Sequence, residues 1–323
     1  MTIAAIAIGR NEGERLRRCL SALRPHVARL VYVDSGSTDD SIGFARSIGA
    51  EVVEIDSSIP FTAARARNEG FAALGVGAEV PEYVQLVDGD CAVDPDWIGA
   101  AAAALDADSQ LGVVTGWRTE VKPHANAYHA MAEVEWRQPA GEIVACGGDM
   151  MVRAAAFAAV GGFDPSIIAS EDEEFVIRTR KAGFRAIRLP LVMTRHDIAM
   201  TRLREWWRRN LRSGNGLAEV GDLQPPHFRP ERRRAIVFGL ILPLIIFAGL
   251  VTGSWWLWLP ALFGYGVSMA RVWLWLIGNG MAPTLAVRVA GLFTLAKLPQ
   301  FIGMARFYFR GGRKGQVQII EYK

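Results

Sequence analysis

The sequence predicts an α/β domain, a mostly parallel sheet flanked by helices, followed by an α-helical membrane region. Three observations carry this. Through the first 200 residues short β-branched runs alternate with segments of helical period. From Ala235 to Gly280 the only charged residue is Arg271. Charge is also partitioned: the first 231 residues carry 25 basic and 32 acidic side chains, and the rest carry eleven Lys/Arg against Glu321 alone. A chain of 323 residues, 51% hydrophobic and 21% charged, can bury a sizeable core and has little scope for long disorder. A nucleic-acid binder would place its basic patch on the folded domain, so no nucleic-acid partner is expected; a bilayer is. Cys19, Cys91 and Cys146 are scattered and form neither a disulfide framework nor a metal-ligand spacing, which points to a reducing compartment. The opening "MTIAAIAIGRNE" is apolar only briefly and lacks a basic n-region, so no signal peptide is expected.

The elements follow in order. "TIAAIAIG" is a buried strand, and "EGERLRRCLSALRPH" a helix with Leu16, Cys19, Leu20 and Leu23 on one face. "RLVYVDSG" is the second strand; the next helix is expected to be capped by Ser37 or Thr38 and closed by Gly49. "EVVEID", the helix "FTAARARNEGFAALG" and the strand "YVQLVDGD" continue the alternation. Such sheets bind ligands beyond the carboxyl ends of their strands. Those ends here read "GRNE", "DSGSTDD" and "DGD". Neither G-x-G-x-x-G nor G-x-x-x-x-G-K-[ST] is present, which argues against dinucleotide and P-loop sites. Asp88 and Asp90 at a strand end can hold Mg2+ or Mn2+ and, through it, a diphosphate; a short acidic surface turn is the alternative. Gly89 between them is expected to let the backbone approach that diphosphate.

The segments "IAIGRNEGERLRRCLSAL", "VYVDSGSTDDSIGFA", "ARARNEG" and "VQLVDGDCAVDPDWI", then "GGDMMVRAAAFAAVGGFDPSIIASEDEEFVIRTRKAGFR", occur in the order and spacing of glycosyltransferase family 2. The resemblance spans about residues 3 to 215. It implies a GT-A fold, an inverting transfer, a nucleotide-sugar donor and a divalent ion. Carried over by position, Asn11, Glu12, Asp34, Arg67, Asn68 and Asp88 would contact the nucleotide-sugar. Ser35 stands where the family has a second Asp, so uracil is only the default base. Gly147, Gly148 and Asp149 would shape the floor beneath the donor sugar. Asp88 and Asp90 would serve the metal, with His196 as an added ligand or a structural hydrogen-bonding residue. Asp172 matches the general base, with Glu171 beside it; like charges in "SEDEEF" would raise its proton affinity. Ser170 is expected to cap that helix, whose acidic start would in either case suit the helix dipole.

The remainder reads as membrane. "TRLREWWRRNLRSG" suits a helix at headgroup level, where Trp207, Arg208, Arg209 and Arg212 could hold acceptor or donor phosphate; a solvated basic helix is the alternative. "AIVFGLILPLIIFAGLV" and "SWWLWLPALFGYGVSMARVWLWLIG" form a transmembrane hairpin, the second with tryptophans at both ends. Arg232, Arg233 and Arg234 place the preceding domain in the cytoplasm. Residues 284–309, carrying Arg288, Lys297 and Arg306, are expected as an interfacial or re-entrant helix, with a third membrane helix as the alternative. The division expected is thus 1–200 catalytic, 201–232 interfacial helix and linker, 233–310 membrane helices and 311–323 a basic cytoplasmic tail. The membrane region resembles bacterial family members that build exopolysaccharide or lipid-linked glycans, which implies the inner membrane and a polyprenyl-linked acceptor. Rival expectations are a polyprenyl-phosphate glycosyltransferase, a processive synthase, and a non-catalytic membrane-tethered nucleotide-sugar binder.

Overall fold

The computed structural model of the protein describes residues 2–56, 58–59, 61–75 and 81–314. Most of the expected basic tail lies outside them. The chain forms two compact units: Met1–Lys122 with Glu133–Ile198, and Pro123–Ala132 with Ala199–Lys323.

The first unit runs β1 (Ile3–Gly9), α1 (Glu14–Leu23), β2 (Arg29–Asp34), α2 (Ser41–Ser47), β3 (Glu51–Glu54), α3 (Ala63–Leu74), β4 (Tyr83–Asp88), β5 (Cys91–Val93), α4 (Trp97–Ala107), β6 (Leu111–Glu120), the last turn of α5 (Ala127–Trp136), β7 (Gly141–Glu142), β8 (Met150–Arg153), α6 (Ala154–Val160), α7 (Glu171–Lys181) and β9 (Arg185–His196). Its sheet has the order β3-β2-β1-β4-β8-β6-β9-β5, with β7 on β9. The β3-β2-β1-β4 half is parallel, β8 lies antiparallel between β4 and β6, and β6 and β9 are parallel. Alternation along β1 explains the two cores. Ala5 and Ala7 pack with Leu16, Leu20 and Trp97 on one face, while Ala4, Ile6 and Ile8 pack with Ala64, Phe157 and Phe175 on the other. Register aligns the strand ends, Gly9 opposite Asp34 and Ile8 opposite Asp88.

Two cap expectations are corrected. The second helix starts at Ser41, not after Ser37 or Thr38, because Asp34 already accepts the Gly36 and Ser37 amides at 2.9 and 2.7 Å. Ser170 makes no side-chain cap bond; it sits at φ 62°, and the four acids of the first α7 turn meet the helix dipole instead.

The second unit comprises the first turns of α5, then α8 (Leu203–Leu223), α9 (Arg229–Ile236), α10 (Leu242–Val251), α11 (Trp255–Gly278), α12 (Pro283–Leu295) and α13 (Lys297–Phe309). Helix α8 extends past the expected Gly214, because its second half is buried against α13. A Cβ on Gly214 would meet the Gln300 backbone, and one on Gly303 the Leu211 carbonyl, so small residues let these helices touch. Three helical stretches, Arg229–Val251, Trp255–Gly278 and Pro283–Phe309, are long and apolar enough to cross a membrane. The first is longer than its apolar core because helix continues upstream through the arginines. The third meets that criterion by length and composition, as the alternative of a third membrane helix allowed; within it Lys297 is partly buried and donates to Gln300 at 3.0 Å. Leu244, Phe247, Trp255, Phe263 and Leu274 are exposed, as lipid-facing residues would be.

Candidate active site at the strand ends

Asp88 closes β4 and is gripped from both sides. Its Oδ1 accepts from Arg67 Nη2 on α3 at 2.8 Å, and its Oδ2 accepts from Arg118 Nη2 on β6 at 3.2 Å. Burial alone would raise this carboxyl, but Arg67 and Arg118 outweigh it and hold Asp88 below the ordinary carboxylate range. Arg67 is itself 2% exposed, and a guanidinium that deep is tolerable only when paired. Its other arm donates to Glu171 Oε1 on α7 at 2.7 Å. Arg67 therefore ties the end of β4 to the start of α7.

Asp149, just before β8, is fully buried and fully used. It accepts from the Asp88 amide at 3.0 Å, Arg118 Nε at 3.0 Å and Thr194 Oγ1 at 2.7 Å. It locks β4, β6 and β9 together beneath the site. Gly148 beside it has a steric reason to be glycine: a Cβ there would fall on the Arg67 guanidinium, with Asp88 Oδ1 3.4 Å away. Gly148→Ala is expected to dislodge Arg67 and raise the KM for donor at least ~tenfold, measured by steady-state kinetics. Gly89 has a different reason from the one expected. A Cβ would lie 3.0 Å from the Ile8 carbonyl and 3.3 Å from Leu16, so β1 and α1 occupy that space rather than a ligand.

Asp90 and His196 form the second centre. His196 ends β9, and its Nε2 lies 3.0 Å from Asp90 Oδ2. Cys91, paired across strands with His196, brings Sγ to 3.6 Å from Asp90 Oδ1. The ligand atoms of Asp90, Cys91 and His196 all lie within 4.8 Å of one another. His196 Nδ1 is buried without a hydrogen-bond partner, and the Trp136 ring packs on the imidazole at 4.6 Å. These residues fit a divalent ion. Five carboxylates (Asp88, Asp90, Asp149, Glu171, Asp172) act on the Arg67 and Arg118 guanidiniums, and a carboxylate with an imidazole suits Mn2+ better than Mg2+, which prefers oxygen alone.

Asp172, half-buried in the first turn of α7, accepts from the Glu173 amide at 2.8 Å. Burial, then Glu171 and Glu173, push its carboxyl up to about 8, while Arg67 pulls the other way. A carboxylate of that basicity can take a proton near neutral pH.

The other expected residues sit around this core. Asp34 is buried, with its oxygens held by Tyr32 Oη at 2.8 Å and by its own loop. Asn11, at φ 54°, accepts the Thr38 amide at 2.7 Å, stitching the first two strand-end loops together; Glu12 pairs with Arg15 at 2.8 Å. Asn68 turns away from Arg67 and brackets the Phe163 backbone at 2.8 and 2.9 Å, so it positions the turn before α7. Trp207, Arg208, Arg209 and Arg212 lie on α8 in the other unit, half-buried.

Sequence reasoning missed Arg118, Trp136, Thr194 and Cys91. For Arg118 a signal existed: a cation inside the apolar run "LGVVTGWRTEV" needs a buried partner. Arg118→Ala is expected to cost about 3–5 kcal/mol, read from urea unfolding, because it leaves Asp149 buried without its counter-ion and Asp88 with Arg67 alone.

Residues 6–160 match Glycosyl transferase family 2. The chain is 27% identical to Succinoglycan biosynthesis protein ExoA of Rhizobium meliloti (strain 1021), covering 80% of this chain and 83% of that protein. It is also 27% identical to Pre-mycofactocin glycosyltransferase of Mycobacterium tuberculosis (strain CDC 1551 / Oshkosh), over 68% of this chain but only 48% of that protein's length. The structure of mannosyltransferase PcManGT from Pyrobaculum calidifontis, in complex with GDP-Man and Mn2+, superposes with a TM-score of 0.57 at 17% identity, covering 95% of this chain and 86% of that one. That likeness shows a shared GT-A fold. The strand-end chemistry agrees with the match of residues 6–160 to Glycosyl transferase family 2.

Proposed function

We propose that this chain is a membrane-associated, metal-dependent inverting glycosyltransferase. It moves one sugar from a nucleotide diphosphate donor, UDP-sugar by default, to a hydroxyl of a membrane-held, polyprenyl-linked acceptor in polysaccharide or glycolipid synthesis. The observation that carries it is Arg67, which joins the Asp88 carboxylate to the α7 start that holds Asp172. Donor and base are thereby tied through one buried side chain.

Asp90 and His196 would hold the ion, which when bound would neutralise the departing diphosphate. Asp172 takes the acceptor hydroxyl's proton as its oxygen bonds to the anomeric carbon. The bond from that carbon to phosphate oxygen breaks, and its electron pair leaves on the nucleoside diphosphate. Arg67 and Arg118 keep Asp88 ionised and placed to meet the donor ribose or an ion-bound water. Asn11, Glu12 and Asp34 shape the loops that receive the nucleoside. The ExoA likeness supports polysaccharide synthesis, and the three apolar stretches support a membrane acceptor. Arg232, Arg233 and Arg234 favour a cytoplasmic catalytic unit at the bacterial inner membrane, with Trp207, Arg208, Arg209 and Arg212 holding phosphate at the headgroups.

The test is a panel of nucleotide-sugars with purified full chain, with and without Mn2+. One donor should raise the melting temperature by mass action and be turned over onto a lipid-linked saccharide. Absence of both effects for every donor refutes the assignment.

A further inference from the structure

We propose that Asp90, Cys91 and His196 form a site for a soft divalent cation, Zn2+ or Cd2+, which competes with the catalytic ion and slows the enzyme. This rests on Asp90 and His196 being the metal-binding pair; Cys91 is the added element. The antiparallel β5–β9 pairing sets Cys91 opposite His196, so one carboxylate, one thiol and one imidazole converge within 4.8 Å. Each belongs to a buried residue, and the Trp136 ring holds the imidazole in place. His196 Nδ1 is buried and without a hydrogen-bond partner, so this ring is not a satisfied core histidine.

The three donors sort cations by softness. Mn2+ and Mg2+ are served by the carboxylate and imidazole and gain little from sulfur, whereas Zn2+ and Cd2+ bind thiolate strongly. On binding, the Cys91 S–H bond gives its proton to water as the sulfur–metal bond forms. A tetrahedral ion with three protein ligands keeps one open position. The thiolate takes a position that a diphosphate could otherwise use, so the ion fills the site while supporting transfer less well. Asp88, whose side chain is partly exposed, is grouped with Cys91 and Asp149 in a neighbouring ligand set.

The experiment uses the purified full chain. Cd2+ should produce a thiolate-to-metal ultraviolet absorption band in the wild type and in Cys19→Ser and Cys146→Ser, but not in Cys91→Ser. Zinc-edge X-ray absorption of the wild type should show one sulfur at ~2.3 Å among nitrogen and oxygen ligands. Cys91→Ser should weaken Zn2+ inhibition of Mn2+-supported turnover roughly 100-fold, while Mn2+ affinity by paramagnetic resonance changes less than about threefold. A wild type lacking both the band and the sulfur shell, yet binding Mn2+, overturns the soft site and leaves the catalytic metal assignment standing. A band that persists in Cys91→Ser also overturns it. Failure to bind Mn2+, Zn2+ or Cd2+ at all overturns both.

Discussion

Asp90→Asn should lose roughly a thousandfold or more in kcat/KM for donor, with melting temperature close to wild type. Among the described residues the carboxylate is the one charged oxygen grouped with Cys91 and His196, and on the proposed mechanism its removal forfeits several kcal/mol of charge stabilisation on the leaving diphosphate, each 1.4 kcal/mol being about tenfold. The fold should tolerate the change because asparagine keeps an oxygen that His196 Nε2, now 3.0 Å from Asp90, can reach. Asp88→Asn provides the contrast. There the lost charge compensates Arg67 and Arg118, so stability should fall by about 3 kcal/mol together with activity. Equal stability losses in the two variants, or wild-type turnover by Asp90→Asn, would contradict the proposed division between Asp88, which also compensates two guanidiniums, and Asp90, which would hold the metal.

Asp172→Asn should abolish transfer altogether, since no amide takes up a proton, while leaving donor binding intact. In the wild type the base must be ionised. With its carboxyl pushed up to about 8, kcat/KM should rise about tenfold per pH unit on the acid side and level off above that value. The stability sign runs the other way. An Asp whose folded affinity for protons exceeds its unfolded one contributes stability at acid pH, and loses it as pH rises through about 8. Asp172→Asn removes that dependence, so it should melt no lower than the wild type above about pH 8, and the difference should shrink as pH falls toward the ordinary carboxylate range. A flat pH–rate profile between about 6 and 9, read by initial rates at saturating Mn2+, would remove Asp172 from the role of base.

Much of the fold was legible because its signals are local. Apolar alternation in "TIAAIAIG" and the Leu16, Cys19, Leu20, Leu23 stripe are each complete within a dozen residues, and burial of those side chains follows them. The caps were less legible. Asp34 takes the amides on which Ser37 and Thr38 were expected to build a helix, a competition between neighbours that no propensity ranks. The membrane stretches announce themselves by composition, yet where helix starts and ends depends on packing. Helix α8 runs past Gly214 because α13 covers it.

By itself the sequence determined the strand–helix alternation, the apolar third of the chain and the acidic strand ends, each written in contiguous residues whose period or charge is its own evidence. Only the tertiary structure decided what surrounds each carboxylate. Local sequence names no partner for Asp88 or Asp90; in the fold the first is held by Arg67 and Arg118, from 21 and 30 residues away in sequence, and the second meets His196. The physical reason is that a carboxylate's chemistry is set by the cations and the burial around it, and strand pairing brings those from segments that share no local signal. Gly89 follows the same rule: it is glycine because β1 and α1 pass close by, a neighbour visible only after folding.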